Sequence, residues 1–534
     1  MTNLSETAAT YRLPDGCVDF FVISGSLSHI QKFIYDTTSS GALKNLRGRS
    51  FYLSLLSRAV CEALLAGLNL QRNTVLYNSG GTFCVIAPYR QDIEEDFKRI
   101  VNHIKQVVAK MLDADMVSIC GQKASYEALN SHCAAVFDSL FAKKHQAKHT
   151  PYGIDAAHND LFAVGETHLT QPYNELGSKL CDITAILVSQ APMTIRNAMC
   201  IDFHQLGVYY YLGKSEELAS VSSPKAYLLL INDEKLPSNC TIPVYREYIA
   251  GNGTRAASFE ELFYKEDSSH RRLGVLRMDV DNLGALFQTT MKGNNALSAY
   301  TQLSHRLDDY FKRQLNTAWQ QNYSKTTVII YAGGDDLFIV GEWESTLAFM
   351  RDIQRNFALS FSDLPISLSG GISFIEPKFP IIRAAELSAG EEQRAKSFVY
   401  KGKTKNAISF FGTPLRWEEE YQWVENYKNQ LVRLLKSESI ERSFLQHILR
   451  INENVRFICG KITPIRYVWV AAYDLSRMAK KQDNAGAAFI KECVQDIMSG
   501  RTLNNRPISS PYHALQLIII AARLAEMSLW KENK

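Results

Sequence analysis

The chain has 534 residues, which at roughly 150 residues per domain predicts three or four domains. It carries 59 lysine and arginine residues against 55 aspartate and glutamate residues, and the formal net charge of +4 marks neither a nucleic-acid binder nor a membrane binder. Apolar residues make up 46% and charged residues 21% of the chain. This balance is typical of globular proteins and excludes disorder as the dominant state.

The sequence predicts neither a membrane span nor a secretory signal. The most apolar stretch, 515–525, contains Arg523 and is shorter than the ~18–20 residues that a span needs. The N-terminal segment has no continuous hydrophobic run. The cysteines form no Cys-x-x-Cys pair, so we expect a cytoplasmic protein with reduced thiols and no zinc ribbon.

The first part of the chain alternates strand and helix patterns. Residues 18–24 predict a strand, 74–86 predict two strands joined by a Gly-Gly turn, and 91–112 predict an amphipathic helix. The segment 156–268 follows, with strand-like runs at 185–189 and 226–231. We interpret this segment as a linker domain without chemistry of its own.

The same order of elements returns further along the chain. We predict a strand at 273–279, helices near 281–290 and 298–321, a second Gly-Gly hairpin at 327–341, a helix near 344–361, a strand at 366–374 and a helix near 382–400. After Pro414 the pattern becomes helical, with runs at 427–435, 463–479 and 512–529.

Three pairs of landmarks recur at one spacing. Each pair is separated by 253 positions: Gly80 and Gly333, Ser26 and Asp279, Lys143 and Lys396. One shared spacing across strand, hairpin and helix predicts a duplicated domain.

Each copy predicts a strand, a helical crossover, a hairpin, a helix and another strand, which is the ferredoxin-like βαββαβ arrangement. We therefore expect an α/β (α+β) protein. The predicted domains are a first copy at 1–155, a linker domain at 156–268, a second copy at 269–414 and a helical C-terminal domain at 415–534.

Carboxylates mark the second copy. Asp279 ends its first strand, and Asp335 and Asp336 lie at the tip of its hairpin. In a ferredoxin-like sheet these positions are neighbours, and clustered carboxylates favour a hard cation such as Mg²⁺ or Mn²⁺. Such ions serve phosphoryl or nucleotidyl transfer. Gly333 and Gly334 would let the turn adopt positive φ and let a phosphate approach closely; the alternative is a surface turn that merely favours aspartate.

Basic residues are further candidates. Lys396 and Lys405 lie in a cationic stretch that suits triphosphate oxygens, although a solvated helix end would show the same pattern. Arg47 and Arg49 flank Gly48 near a helix start. They are interpreted either as contacts to nucleotide phosphates or guide RNA, or as a solvated arginine pair.

The first copy lacks the carboxylates. Ser26 stands where Asp279 stands, and Thr82 and Phe83 replace the aspartate pair of the second hairpin. This copy keeps the glycines but offers no metal ligand. We predict one active copy and one degenerate partner.

At this point the chain resembles a known family, the large subunit of type III CRISPR effector complexes (the CRISPR polymerase), and most closely its Csm or type III-A form. The resemblance covers about residues 18–420. It rests on Gly25-Ser-Leu-Ser-His-Ile-Gln-Lys-Phe-Ile34, Leu46-Arg-Gly-Arg-Ser-Phe-Tyr-Leu53, Asn78-Ser-Gly-Gly81, Arg277-Met-Asp-Val-Asp-Asn-Leu-Gly284, Gly333-Gly-Asp-Asp336, Leu368-Ser-Gly-Gly371 and Lys405-Asn-Ala-Ile-Ser-Phe-Phe-Gly412.

The resemblance implies two palm domains, related to nucleotidyl cyclases, with two ATP molecules between them. It implies a target-RNA-activated synthase of cyclic oligoadenylate or a related adenylylated messenger, in a complex with other Csm subunits, guide RNA and target RNA. The implied metal ligands for Mg²⁺ or Mn²⁺, which are also the catalytic residues, are Asp279, Asp335 and Asp336. The implied nucleotide-binding residues are Gly333, Gly334, Asn282, Lys396, Lys405, Ser79, Gly80 and Gly81.

Two departures from the family matter. No histidine is followed directly by aspartate, and few residues precede the first copy, so we do not expect the DNase activity of the family's HD domain. His158 and Asp160 are the nearest approach to such a pair. Cys181, Cys200 and Cys240 are too isolated for the family's zinc site, so no zinc is expected.

Two alternatives belong to other function classes. A stand-alone diguanylate cyclase usually carries Arg-x-x-Asp before the hairpin, which 322–330 lacks. A catalytically silent scaffold subunit would not need the three aspartates. The leading prediction is therefore the nucleotidyltransferase.

Overall fold

The structure is a computed structural model. It describes residues 13, 17–37, 41–112, 116–149, 173–232, 234–263, 271–292, 296–399, 402–457, 464–480, 485–499 and 511–532. The chain divides into two compact units. The first takes in 1–262, 282–366 and 380–383, and the second takes in 263–281, 367–379 and 384–534.

The first copy has the predicted ferredoxin-like topology. Its antiparallel sheet has the strand order β2-β3-β1-β4. The elements in chain order are β1 (Asp19–Leu27), α1 (Ile30–Tyr35), α2 (Ala42–Gly67), β2 (Val75–Ser79), β3 (Thr82–Pro88), α3 (Ile93–Met111), β4 (Val117–Ser125), α4 (Tyr126–Ser131) and α5 (Cys133–His149).

Periodic apolar residues place these helices on the sheet. Helix α3 buries Ile93, Phe97, Ile104 and Val107 on one face, which confirms the predicted amphipathic helix. Its first turn is acidic and its last turn carries Lys110, which complements the helix dipole.

Helix α2 is the core helix of the first copy. Among the described helices it is the one that is long and apolar enough to cross a membrane, yet 61% of its most apolar window is buried inside the protein. Core helices of soluble proteins meet the same criterion. Burial against the protein therefore explains its apolar composition.

The segment that the sequence predicts to be a linker domain forms a mixed sheet with short helices. Its strand order is β6-β7-β5-β8-β9, and the β8–β9 pair is parallel. The elements are α6 (Tyr173–Lys179), β5 (Ala185–Ser189), β6 (Met199–Phe203), β7 (Val208–Gly213), α7 (Ser215–Ala219), β8 (Ala226–Ile231) and β9 (Val244–Glu247). Both strands that the sequence predicted here, β5 and β8, are confirmed.

The second copy repeats the order of the first. Its elements are β10 (Leu273–Asp281), α8 (Leu283–Thr290), α9 (Ala296–Asp309), a π-helical turn (Tyr310–Gln314), α10 (Leu315–Asn322), β11 (Thr327–Gly333), β12 (Asp336–Glu342), α11 (Trp343–Ser360), β13 (Ser367–Ile375), α12 (Ile381–Ser397), β14 (Ala407–Phe410) and β15 (Thr413–Arg416). Strands β11 and β12 form an antiparallel hairpin. Strand β13 pairs antiparallel with β10 and parallel with β14, which pairs antiparallel with β15.

The two hairpins share a detail of strand pairing. The register shifts between Val75 and Tyr77 in the first hairpin and between Ile329 and Tyr331 in the second. These positions are 254 residues apart in sequence. An identical irregularity at matching positions supports the duplication.

The spacing of 253 that the sequence suggested is wrong by one at the turns. Ser79 pairs with Thr82 in the first hairpin, and Gly333 pairs with Asp336 in the second. The structural counterpart of Asp336 is therefore Thr82, not Phe83. The central residues of the first turn are Gly80 and Gly81, whereas those of the second are Gly334 and Asp335, so the two Gly-Gly pairs do not occupy equivalent positions.

The first strands of the two copies are also separated by 254 positions and not 253. Strands β1 and β10 are nine residues each and begin 254 positions apart. Gly121 pairs with Ile23 of β1, and Gly371 pairs with Arg277 of β10. Ile23 and Arg277 are also 254 positions apart. Gly25, not Ser26, is thus the counterpart of Asp279. The first copy still offers no carboxylate at these positions.

The C-terminal region is helical, as predicted. Its helices are α13 (Gln422–Lys436), α14 (Arg442–Phe457), α15 (Pro464–Ala479), α16 (Ala485–Ser499) and α17 (Pro511–Glu532). Predicted domain boundaries at 155/156 and 268/269 lie outside the described residues, as do His158 and Asp160. The boundary at 414/415 falls inside β15, and the division into four domains stays a prediction.

Candidate active site

Within the first unit, the glycine turns of the two hairpins touch each other. A Cβ added to Gly80 would lie 3.2 Å from the Cα of Gly334. Gly80 and Gly81 both have positive φ, whereas in the second turn Gly334 does and Gly333 and Asp335 do not. Positive φ at both central positions is the reason that the first turn needs two glycines. The second turn needs one, which leaves the next position open for Asp335.

Helix α1 of the first copy contacts both turns. Ile30 packs so closely on Gly81 that a Cβ there would lie 2.6 Å from the isoleucine Cδ1. One residue on, the Gln31 side-chain amide donates to the Asp336 carboxylate over 3.2 Å and to the Tyr331 hydroxyl over 3.3 Å. The first copy therefore contacts a predicted catalytic residue of the second copy directly.

A cavity of about 250 Å³ opens between these elements, all of them in the first unit. Helix α2 contributes one face to it through Arg47, Ser50, Phe51, Ser54, Leu55 and Arg58. The first turn contributes Ser79, Gly80 and Gly81, and the second contributes Gly333, Asp335 and Asp336. The structure thus brings together most of the predicted residues of the two turns around one cavity.

A chain of alternating charges connects the first turn with residues that line this cavity. The Ser79 hydroxyl donates to Asp308 on α9, and Lys312 lies 3.0 Å from the same carboxylate. Lys312 also lies 3.5 Å from Glu247 of the linker domain, which pairs with Arg58 of α2. The charges balance within this network, which connects the first turn to α9, the π-helical turn, β9 and α2.

The three residues of the Arg47-Gly48-Arg49 motif lie in three different environments. A Cβ on Gly48 would lie 1.9 Å from the Tyr173 carbonyl, so glycine permits the close crossing of α2 and α6. Arg49 donates to the Phe33 carbonyl over 2.9 Å and stacks on the Phe33 and Tyr173 rings. Arg47 is only 4% exposed and lines the cavity. The interpretation as a solvated arginine pair is therefore wrong.

In the second unit, Asp279 has a protein cation as its partner. Lys396 forms an ion pair with Asp279 and a second one with Glu392 over 2.8 Å. Arg277 lies 3.3 Å from Glu392. Burial disfavours the charge of Lys396, but its hydrogen bonds to both carboxylates prevail and raise its pKa above the usual value.

Asp281, two residues after Asp279, has a structural role. Its carboxylate accepts hydrogen bonds from Ser367 and Ser369 of β13 over 2.7 and 2.8 Å and from the Asn406 backbone N–H over 2.9 Å. Lys405 lies in the loop that Asp281 anchors, and Arg416 donates to its carbonyl. Lys405 and Asn406 both have positive φ. The loop that carries this predicted phosphate ligand is thus fixed by its backbone.

The donor chemistry of these residues fits a hard divalent cation. In the first unit, Asp335 and Asp336 offer carboxylate oxygens next to the cavity. In the second unit, Asp279 offers a carboxylate that binds the cationic side chain of Lys396. In the parts of the chain that the structure describes, no three His, Cys, Asp or Glu side chains are grouped as a metal site. The identity of the ion and the absence of zinc stay predictions.

Sequence reasoning missed three residues of the site. Gln31 lies in one of the motifs that this chain shares with the family. Its contact with Asp336 joins positions 305 residues apart, and the residues around Gln31 in the sequence do not indicate it. Asp308 and Lys312 are spaced four apart on one helix, a pattern that usually marks a surface pair. Asn282, a predicted nucleotide-binding residue, directly precedes α8 as its N-cap and has a φ of 62°.

Two family models match the chain. Residues 19–166 match the Csm1 subunit domain B, and residues 272–409 match the second palm domain of Cas10/Cmr2. The two matches fall on the first and second copies. They agree with the duplicated fold described above.

Curated relatives carry one name, CRISPR system single-strand-specific deoxyribonuclease Cas10/Csm1 of subtype III-A. The protein of Methanocaldococcus jannaschii is 24% identical over 511 residues, covering 81% of this chain and 64% of its own length. That of Streptococcus thermophilus is 27% identical, covering 74% and 54%, and that of Mycobacterium tuberculosis is 26% identical, covering 86% and 62%. The chain thus spans between 54% and 64% of the length of these relatives, less than two thirds in each case.

Solved structures share the fold. A crystal structure of an apo Csm1-Csm4 cassette matches with a TM-score of 0.69 and 21% identity, covering 96% of this chain and 71% of that one. The cassette in complex with cA4 matches with a TM-score of 0.66 and 21% identity, covering 94% and 70%. By sequence and fold, this chain is a relative of the Cas10/Csm1 proteins of subtype III-A.

Proposed function

We propose that this chain is the large subunit of a type III-A CRISPR effector complex and synthesises a cyclic oligoadenylate, or a related adenylylated messenger, from ATP. The observation that carries the proposal is the contact between the two glycine turns beside a shared cavity. One turn presents two carboxylates and the other presents none. This asymmetry suits a site with one catalytic and one purely binding palm domain.

The ligands of related structures support this chemistry. Cassettes of the same fold have been solved with one ATP, with pppApA, with cA3 and with cA4. These are a substrate, a linear product and cyclic products of adenylate joining. A chain with the same fold and with carboxylates at its hairpin tip suits the same reaction.

We propose that Asp279, Asp335 and Asp336 hold Mg²⁺ or Mn²⁺ and are the catalytic residues. A bound divalent cation would stabilise the negative charge that develops on the phosphate oxygens. The chain's own groups would bind the nucleotides: Ser79, Gly80 and Gly81 on the first palm side, with Gly333, Gly334, Asn282, Lys396 and Lys405 on the second. Lys396 would be free to meet phosphates once another cation neutralises Asp279.

The partners follow from the relatives. We propose that the chain assembles with other Csm subunits, beginning with a Csm4-like protein, because the related structures are Csm1-Csm4 cassettes. Guide RNA and target RNA would complete a cytoplasmic complex, and target RNA would activate synthesis.

The relatives' name favours a second activity, hydrolysis of single-stranded DNA. These 534 residues contain no adjacent His-Asp pair, whereas an HD-type site combines imidazole and carboxylate ligands. We therefore still expect no DNase activity from this chain. Incubation of the purified complex with single-stranded DNA, Mn²⁺ and target RNA tests this expectation, and cleavage would contradict it.

One experiment separates the proposal from its alternatives. The purified complex is incubated with Mg²⁺, target RNA and either ATP or GTP. Adenylate product that forms only with target RNA supports the proposal. Cyclic di-GMP formed without RNA would indicate a diguanylate cyclase, and no product from either nucleotide would indicate a silent scaffold.

A further inference from the structure

Arg47 carries a buried charge that the described part of the chain does not neutralise. Its side chain is 4% exposed, and its Nη2 atom is buried without a hydrogen-bond partner. No described carboxylate forms an ion pair with it, and burial lowers its pKa to about 10. A guanidinium in this state is costly, because it has lost its hydration without gaining an anion.

The other cations near Arg47 differ from it. Arg58 and Lys312 line the same cavity, but both pair with Glu247. Arg49, two residues from Arg47, is packed on aromatic rings outside the cavity lining. The unmet charge is therefore a property of one position on α2 and not of the whole arginine motif.

The cavity also contains an unmet acceptor. Asn252 lines it and is 9% exposed. Its Nδ2 donates to the Ile183 carbonyl over 3.1 Å, which fixes the orientation of the amide. Its Oδ1 is then left buried without a donor. Buried polar atoms nearly always have partners. Two residues of one cavity lining thus each carry a polar atom without a partner, which favours a polar ligand beside them.

We propose that Arg47 is the receptor for a phosphate group of a nucleotide that binds in this cavity. This rests on the proposed function and names the residue that would bind the phosphate on the first palm side. The planar guanidinium donates two parallel hydrogen bonds to phosphate oxygens. An amino or hydroxyl group of the same nucleotide would satisfy Asn252.

The burial of Arg47 favours a small molecule over an RNA strand. An RNA backbone needs an open groove, whereas this arginine is 96% buried and lines a cavity of about 250 Å³. A mononucleotide can enter such a site with its phosphates first. Contact with guide RNA, the other interpretation of this motif, is thereby disfavoured.

The test uses the full chain and binding calorimetry with ATP, pyrophosphate and adenosine. Arg47→Met removes the charge and keeps a similar volume, and Arg49→Met is the matched control. We expect Arg47→Met to weaken ATP and pyrophosphate binding about ten- to a hundredfold and to leave adenosine binding unchanged. Its melting temperature without ligand should be equal or higher, because an unpaired buried charge is gone.

Arg49→Met should lower the melting temperature and leave all three affinities unchanged. The inference is overturned if Arg47→Met binds ATP as tightly as the wild type, or if both variants lose the same affinity. Weaker ATP binding with unchanged pyrophosphate binding would also overturn it, because the arginine would then contact the nucleoside. A wild-type chain that binds ATP through Arg47 but makes no messenger refutes the proposed function alone.

Discussion

The side-chain amide of Gln31 donates a hydrogen bond of 3.2 Å to the carboxylate of Asp336. Gln31 lies on the first copy, which has lost its carboxylates, and Asp336 lies on the hairpin that retains them. The degenerate copy thus orients a proposed catalytic group in the other copy.

We predict that Gln31→Ala lowers messenger synthesis about two- to tenfold, the range expected for loss of one hydrogen bond. The requirement for Mg²⁺ should rise, because Asp336 loses the group that orients it. Rates measured across a metal titration test this. Lys32→Ala, on the exposed side of the same helix, is the control and should match the wild type. Equal metal titration curves for Gln31→Ala and the wild type would contradict the orienting role.

A second prediction concerns the contact between the two turns. Gly80→Ala should reduce synthesis strongly, because the new Cβ would lie 3.2 Å from the Gly334 Cα and force the turns apart. Gly207→Ala is a matched control: Gly207 also has positive φ, at 72°, but open space surrounds its Cβ position. Both variants should lose about 1 kcal/mol of stability to backbone strain. If both variants synthesised equal amounts of messenger, the turn contact would not matter for activity.

Lys396 leads to a prediction about metal removal. Lys396→Met leaves Asp279 and Glu392 without the cation that they share. Repulsion between the two carboxylates should lower the melting temperature in EDTA, and Mg²⁺ should restore more of it than in the wild type. Melting curves with and without Mg²⁺ measure this difference. Arg394→Met, on the same helix but paired with Glu391, is the control. An equal Mg²⁺ effect in Lys396→Met and the wild type would argue against a divalent cation at Asp279.

The helical C-terminal region contains a pH-sensitive carboxyl group. Burial, together with the nearby Glu492 carboxylate, raises the pKa of Asp496 to about 6, although the Tyr427 hydroxyl donates to it over 2.6 Å and opposes the rise. A pKa above the unfolded value means that the folded state binds the proton more tightly. The contribution of Asp496 to stability should therefore be fully present below about pH 4 and be lost as the pH rises through 6.

Asp496→Asn should remove this part of the pH dependence and raise the melting temperature above pH 6, since the neutral amide can still accept from Tyr427. Melting temperatures of both proteins between pH 4 and 8 test the assignment. A wild-type profile that rises across this range, with the variant following it in parallel, would contradict it.

Much of the fold could be predicted because its signals are local. The hairpin tips follow from the Gly-Gly pairs, and the buried face of α3 follows from residues such as Ile93 and Ile104. The duplication was visible as well. The spacing between the copies is 254 and not 253, because the Gly-Gly pairs are not equivalent in the two turns. Strand pairing shows this: Gly333 pairs with Asp336 and so lies before the second turn.

The contacts of the site could not be predicted in the same way. The contact between Gln31 and Asp336, and the place of Asp308 beside Ser79, depend on packing between elements hundreds of residues apart. Arg47 and Arg49 look equivalent in the sequence. Only the crossing of α2 and α6 at Gly48 places one arginine on aromatic rings and the other in the cavity.

The most direct measurement is mass spectrometry of the nucleotide product. The complex that contains this chain is incubated with ATP, Mg²⁺ and target RNA, beside a complex with Asp335→Ala and Asp336→Ala and one with Thr82→Ala, the counterpart of Asp336 in the first hairpin. We predict cyclic oligoadenylate or an adenylylated messenger from the wild type and from Thr82→Ala, and none from the double variant. Product of equal yield from the double variant, or no adenylate product from the wild type, would contradict the central claim.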